Sequence, residues 1–152
     1  MKKIKIADKY ALVDDEDYSY LKDLSWYFHN RRDYPMAWYK GHNRIELMHR
    51  IVMGCPAGMQ IDHINNNPLD NRKRNLRICS CAENLKNSSM RPNNKSGYKG
   101  VCWHKSTKRW EASVLCEGKK VRKYFNDKKE AAKGYNELAL YYYGDFASLN
   151  KV

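Results

Sequence analysis

Asp62 and His63 stand side by side in "MQIDHI", with Asn75 twelve and Asn84 twenty-one residues after the histidine. A carboxylate, an imidazole and two amides at such separations suit phosphodiester hydrolysis. A neutral imidazole can take a proton from water near physiological pH. One carboxylate and one amide oxygen can hold a hard divalent cation while leaving positions for phosphate and water. Magnesium, or manganese, fits that sparse oxygen shell better than zinc. The five cysteines contain no C-x-x-C pair, so no structural zinc is expected and buried reduced thiols are the reading.

The elements around these residues must fold back on one another. "MQIDHI" reads as a short strand, and "NNNPLDN" as an ordered loop of turn formers. "NLRICS" reads as a second strand, and "SCAEN" carries the Ser-x-x-Glu spacing of a capping box with Ser80 as helix N-cap. Strand, loop, strand and helix over about 59–88 make a ββα unit. Alternation sends Asp62 and His63 to opposite faces of the first strand. Asn75 sits where the loop enters the second strand, a place from which it can hold the loop by hydrogen bonds. The cations Arg72, Lys73, Arg74 and Arg77 crowd the same stretch, and Arg72 and Arg74 are read as contacts to a polyanion.

Upstream, "KKIKIADKYALV" predicts a hairpin. "DEDYSYLKDLSWYF" predicts a short helix with Tyr20, Leu21, Leu24, Tyr27 and Phe28 on one side, and "YPMAWYK" and "RIELM" predict strands. Residues 1–90 thus read as one nuclease-type domain and 91–97 as a linker by composition. Residues 98–152 read as a second domain: three strands in "YKGVCWH", "RWEASVLC" and "KKVRKYF", then one amphipathic helix capped by Asp127. The fold class expected is α+β, a ββα unit followed by a three-stranded antiparallel sheet packed on one helix, with Val101, Trp110 and Val114 inside.

The formal charge is +12, and residues 91–152 hold 14 Lys and Arg against 6 Asp and Glu, a net of +8. A basic segment with interleaved Trp and Tyr points to nucleic acid, since each neutralised phosphate releases counterions. Candidate contacts are Lys99, His104, Lys105, Arg109, Lys119, Lys120, Arg122 and Lys123. The helix aromatics Tyr135, Tyr141 and Tyr142 read as core, and His29, His42 and His104 as structural or surface residues. No apolar run reaches the roughly 18 residues of a membrane helix and no signal peptide is visible, so an intracellular, cytoplasmic protein with no membrane partner is expected.

The stretch "MHRIVMGCPAGMQIDHINNNPLDNRKRNLRICSCAEN", roughly 47–87, resembles the HNH endonucleases of the homing type found in phages and bacteria, with their ββα-metal fold. That resemblance implies a metal-dependent DNA endonuclease with His63 as general base. It makes Asp62 and Asn84 the ligands of Mg2+ or Mn2+, Asn75 the structural asparagine, and places His49 and Arg50 in the family's "HR" position. Arg50 is then a candidate phosphate contact. Residues 97–150 resemble the DNA-binding domain of the plant ethylene-response-factor (APETALA) family, on "YKGV", Trp110, "YF", "EAAKGYNELA" and the closing "G-x-x-A-x-LN". This implies double-stranded DNA held on one sheet face. Cys102, Ser113 and Leu115 replace that family's polar readers, so its site preference does not carry over. The rival expectation is a non-catalytic, sequence-specific DNA-binding regulator, with RNA binding through Trp103 and Trp110 a third.

Overall fold

The computed structural model describes residues 1–28 and 33–152; His29 lies outside them. Two compact units divide the chain, Met1–Asn84 and Leu85–Val152.

The first unit opens with the expected hairpin of β1 (Lys2–Ile6) and β2 (Lys9–Val13). Its alternation buries Ile4, Ile6, Ala11 and Val13, and Ala7 takes a positive φ of 52° in the two-residue turn. The helix α1 (Asp15–Leu21) begins with three acids, which suits the positive end of its dipole. It is shorter than the periodicity predicts. Trp26 Nε1 donates to the Leu21 carbonyl at 2.7 Å, taking one of the helix's terminal acceptors. Tyr27 and Phe28 therefore leave the helical path and form β3 (Tyr27–Phe28), paired with β4 (Pro35–Tyr39), which in turn pairs with β5 (Arg44–Leu47).

After β5 comes α2 (Met48–Met53), which ends at Gly54 in the left-handed region, φ 55°. The ββα unit follows: β6 (Gln60–His63) antiparallel to β7 (Leu76–Cys79), then α3 (Cys81–Asn87). Ser80 and Glu83 form the reciprocal capping box. Glu83 N–H donates to Ser80 Oγ at 3.2 Å, and Ser80 N–H donates to the Glu83 carboxylate at 2.8 Å. Ser80→Ala should cost about 1 kcal/mol, and thermal melting should show it as a drop of a few degrees. A melting temperature equal to that of the wild type would mean the cap does not fix the start of α3.

One apolar cluster joins these parts. Ile6, Val13, Leu21, Met48, Ile51, Val52, Ile61 and Leu76 bring the hairpin, α1, α2 and the β6–β7 pair into a single core. The hairpin also grips the loop between β6 and β7. Leu12 N–H donates to Leu69 O at 2.7 Å, and Leu12 O accepts from Asn71 N–H at 2.8 Å. The N-terminal platform thereby sets the position of the loop.

In the second unit, Asn94 folds the preceding segment on itself by accepting from Ser96 N–H and Gly97 N–H and donating to Tyr98 O. The strands β8 (Val101–His104), β9 (Arg109–Cys116) and β10 (Lys119–Phe125) lie in the order β10-β9-β8. Glu117 and Gly118 both take positive φ in the two-residue β9–β10 turn. The helix α4 (Lys128–Tyr143) starts at Asp127, whose side chain accepts from the Lys129 and Glu130 N–H groups. Small residues let α4 approach the sheet closely: a Cβ at Gly134 would lie 2.2 Å from the Phe125 ring. Val101, Ala112, Val114, Ala131, Ala132, Tyr135, Leu138 and Ala139 form the core, and Trp110 packs against it half-buried. Tyr142 also packs there, but Tyr141 is 82% exposed and is no core residue, because its position turns it off the sheet-facing side. Asn150 closes the unit through hydrogen bonds with the Lys99 backbone and with Asn136.

Candidate functional site

The Asn-rich loop is held by its own amides. Asn75 Nδ2 donates to Asp70 O at 2.8 Å and to Asn65 Oδ1 at 3.0 Å, while its Oδ1 accepts from Asn65 N–H at 3.1 Å. Asp70 takes two 2.6 Å bonds from the Arg72 guanidinium and one from Asn65. Arg72 is thus a staple within the loop rather than the free cation expected from sequence; Arg74 is exposed. The Arg72 guanidinium and the Asn65 amide hold the Asp70 carboxyl below the usual carboxylate range. A depressed folded pKa stabilises the fold above the unfolded value of about 3.9, and that contribution disappears as pH falls through the folded value. Melting temperatures followed downward from pH 5 should therefore fall less steeply for Asp70→Asn than for wild type. Equal slopes would contradict this account of the loop.

His63 is 4% exposed. Its Nε2 lies 3.4 Å from Asn71 Oδ1. Asn71 spends its Nδ2 on Pro68 O, so its oxygen is the acceptor and the neutral imidazole carries its proton on Nε2. Burial pushes the His63 pKa below 6.5, against opposing pulls from Asn71, Asp62 and Asp70, which keeps the ring in its proton-accepting form at neutral pH. Two rings fix its plane. His49 meets it edge-on with centroids 5.1 Å apart, and Tyr34 does so at 5.8 Å. Burial takes the His49 pKa down to about 3, with His63 and Arg50 pressing the same way.

On β6, Gln60 and Asp62 share the face opposite His63. Asp62 pairs across the sheet with Arg77, whose Nε and Nη2 donate to one carboxylate oxygen at 2.8 and 2.6 Å. Asn84, in the first turn of α3, donates its Nδ2 to Gln60 Oε1 at 2.7 Å. With its nitrogen so engaged, its Oδ1 remains as an acceptor oxygen. A carboxylate and an amide oxygen are the oxygen types that a hard divalent ion takes. Among the described residues no group of three or more His, Cys, Asp or Glu is arranged to hold a metal. All five cysteines are free, but only Cys79 is buried; Cys81 and Cys102 are exposed, since Cys81 starts α3 and Cys102 opposes Glu111 on the open sheet face.

A cleft of about 440 Å³ opens beside these groups, its wall including Tyr34, His49, Arg50, Gln60 and Asn84. Arg50 reaches it while bonded to Glu46 at 3.3 Å and to Met59 O at 3.1 Å. Asp62 and His63 are not part of that wall. The spacing of the sequence singled out Asp62, His63, Asn75 and Asn84 but missed Gln60, Asn71 and Tyr34. Gln60 was within reach, because strand alternation puts it on the Asp62 face; the Asn71–His63 contact depends on how the loop closes, which has no sequence signal. His42 makes a surface contact with Glu46.

The register of the second unit divides the expected nucleic-acid contacts. His104 opposes Arg109, and Arg122 opposes Ser113, on the face away from α4 together with Lys120. Lys119 and Lys123 pair with Cys116 and Ala112 on the α4 side, and Lys123 bonds Glu137 of that helix at 3.3 Å. Lys99 Nζ donates to Lys86 O at 2.8 Å, so it braces the end of α3. Lys105 is an exposed turn residue. Glu111, missed from sequence, sits at the centre of the open face with only 3% exposure. It binds Lys120 at 2.5 Å and Tyr124 Oη at 3.3 Å, with Arg122 at 3.7 Å. These partners hold its carboxyl below the usual range despite burial, which pulls upward most strongly.

An Asp-His strand, an amide-stapled loop and a capped helix bearing Asn84 together define a ββα unit of the nuclease type. Residues 47–86 match the HNH endonuclease family model. Protein 3.8 of Escherichia phage T7 is 34% identical over 89 residues, covering 59% of this chain and 74% of that protein. A protein described as an uncharacterized HNH endonuclease, L560 of Acanthamoeba polyphaga mimivirus, is 28% identical over 147 residues, covering 94% of this chain and 75% of that one. No solved structure matches the chain. Residues 47–86 thus carry an HNH endonuclease domain, and the similarity suggests a nuclease. The HNH nuclease family implies a nucleic-acid substrate, and HNH nucleases generally use a divalent metal. Among the described residues no helix is long and apolar enough to cross a membrane.

Proposed function

We propose that this protein is a homing-type, metal-dependent endonuclease that hydrolyses phosphodiester bonds of double-stranded DNA. The observation that carries the reading is the setting of His63: a buried ring kept neutral at neutral pH, its Nε2 3.4 Å from Asn71 Oδ1, next to Asp62 in sequence. In this reading the His63 imidazole takes the proton of the attacking water. Asp62 and the Oδ1 of Asn84 would hold Mg2+ or Mn2+, which would supply neutralisation of charge on the phosphate and leaving oxygen. Asn75 keeps the loop closed so that His63 does not drift, and Arg50 reaches a phosphate oxygen from the cleft.

The second unit supplies targeting in this proposal. Its open face carries His104, Arg109, Lys120 and Arg122, and a β-ribbon is narrow enough for the major groove. Lys120 and Arg122 share the Glu111 charge, so Arg109 and Lys105 are the cleaner phosphate contacts. Replacing both with Ala should weaken duplex binding and lower the salt slope by about 2, at roughly 0.9 per phosphate contact. Fluorescence anisotropy across a salt series measures this; an unchanged slope would remove the sheet from the interface. Offering duplex DNA, single-stranded DNA and RNA of one sequence with Mg2+ tests the substrate itself. Cleavage of the duplex is expected, and cleavage of RNA alone would overturn the assignment. Duplex binding with no cleavage in any divalent metal would favour a non-catalytic regulator.

A further inference from the structure

His49 is a poor choice for a residue that only fills space. It is 5% exposed, and its Nδ1 is buried with no hydrogen-bond partner among the described residues. An enclosed, unmatched ring nitrogen destabilises a fold, and an apolar ring of the same shape would leave nothing unsatisfied. A phenylalanine would meet Tyr34 and His63 with the same edge contacts that His49 makes at 5.7 and 5.1 Å. The position therefore holds an imidazole where packing asks only for an aromatic ring.

Its other side offers the reason. His49 lines the cleft of about 440 Å³ together with Arg50 and Asn84. Nε2 makes no hydrogen bond among the described residues and is the nitrogen left to face that cleft. The polar groups next to it select the ligand. Arg50 is a pure donor, and Asn84 already spends its amide nitrogen on Gln60. A neutral imidazole N–H beside a guanidinium suits an oxygen that accepts and does not donate, and a non-bridging phosphate oxygen is such an oxygen.

We infer that His49 touches the scissile phosphodiester in this cleft, its Nε2–H donating to a non-bridging oxygen beside Arg50. The inference rests on the endonuclease reading above and adds a second imidazole to it. His63 moves the proton; His49 holds the phosphate and, through its edge contact, keeps the base in register with it. No proton leaves His49 in this role, so the ring is needed as a donor and not as an acid.

The test uses the full chain with His49→Phe and His49→Gln, alongside His63→Ala. For His49→Phe the melting temperature should stay level or rise, because the unmatched nitrogen is gone. Its kcat for nicking a supercoiled plasmid should nevertheless fall about 100-fold, the usual effect of losing a donor aimed at a reacting oxygen. KM should change little, the metal concentration for half-maximal rate should not move, and His49→Gln, which restores an N–H donor, should recover part of the rate. Three results would overturn the inference while leaving the nuclease reading intact: wild-type kcat in His49→Phe with His63→Ala inactive, a kcat loss matched by a fall in melting temperature, or a shift to much higher metal demand, which would make the ring a metal ligand. If the wild type nicks nothing in any divalent metal, the nuclease reading falls and this inference falls with it.

Discussion

His63→Ala will nick supercoiled DNA at least about two orders of magnitude more slowly than wild type, because a general base contributes 10²–10⁴-fold. The loss should lie in kcat. Binding of duplex should persist, since His63 is 4% exposed and offers little surface to DNA. The side chain packs edge-on against Tyr34 and His49, so truncation also leaves a cavity, and the melting temperature must be recorded beside the rate. Asn71→Ala makes the complementary case. It keeps the imidazole but removes the oxygen that fixes its proton on Nε2, so its rate should fall less. A His63→Ala protein that is folded and turns over like wild type would remove His63 from the chemistry.

Asp62→Ala should be inactive and also less stable, for separable reasons. Its carboxylate is 5% exposed and bound to Arg77, whose side chain is 17% exposed. Removing it strands a guanidinium in the fold, at a cost of about 3 kcal/mol. Arg77→Met added to Asp62→Ala should restore much of the melting temperature, because no buried charge is left unpaired, yet it should restore no cleavage. Asn84→Ala should differ from both. It keeps the carboxylate, so raising Mg2+ or Mn2+ should recover part of its activity. Nicking at the wild-type rate by the Asp62→Ala, Arg77→Met protein would show that Asp62 serves only its ion pair.

Most of the architecture was readable because local chemistry and global packing agree in these segments. The Ser80–Glu83 box, the alternation of Ile4, Ile6, Ala11 and Val13, and the Asp127 cap each state their element in a few residues. Tyr27 and Phe28 continue the helical periodicity yet leave the helix, because the turn after Leu21 closes on that residue's carbonyl, which accepts from Leu24 N–H and Trp26 Nε1. Charge alone groups Lys119 and Lys123 with Lys120 and Arg122, because it does not tell the faces of a strand apart. The register with β9 does. The site shows the same limit. Asp62, His63, Asn75 and Asn84 stand out by spacing, but Arg77 as the partner of Asp62, Gln60 as the holder of Asn84 and Asn71 as the holder of His63 depend on how the strands pair and how the loop closes. Those are long-range facts, and a residue type alone does not carry them.

The most direct test of the central claim is the conversion of supercoiled plasmid to nicked or linear form by the wild-type protein. It should be followed in Mg2+, in Mn2+, after EDTA, and after metal is restored. The account predicts cleavage in either metal, none after EDTA, recovery on re-addition, and none at any stage with His63→Ala. Undiminished cleavage in EDTA, or equal cleavage by His63→Ala, would contradict it.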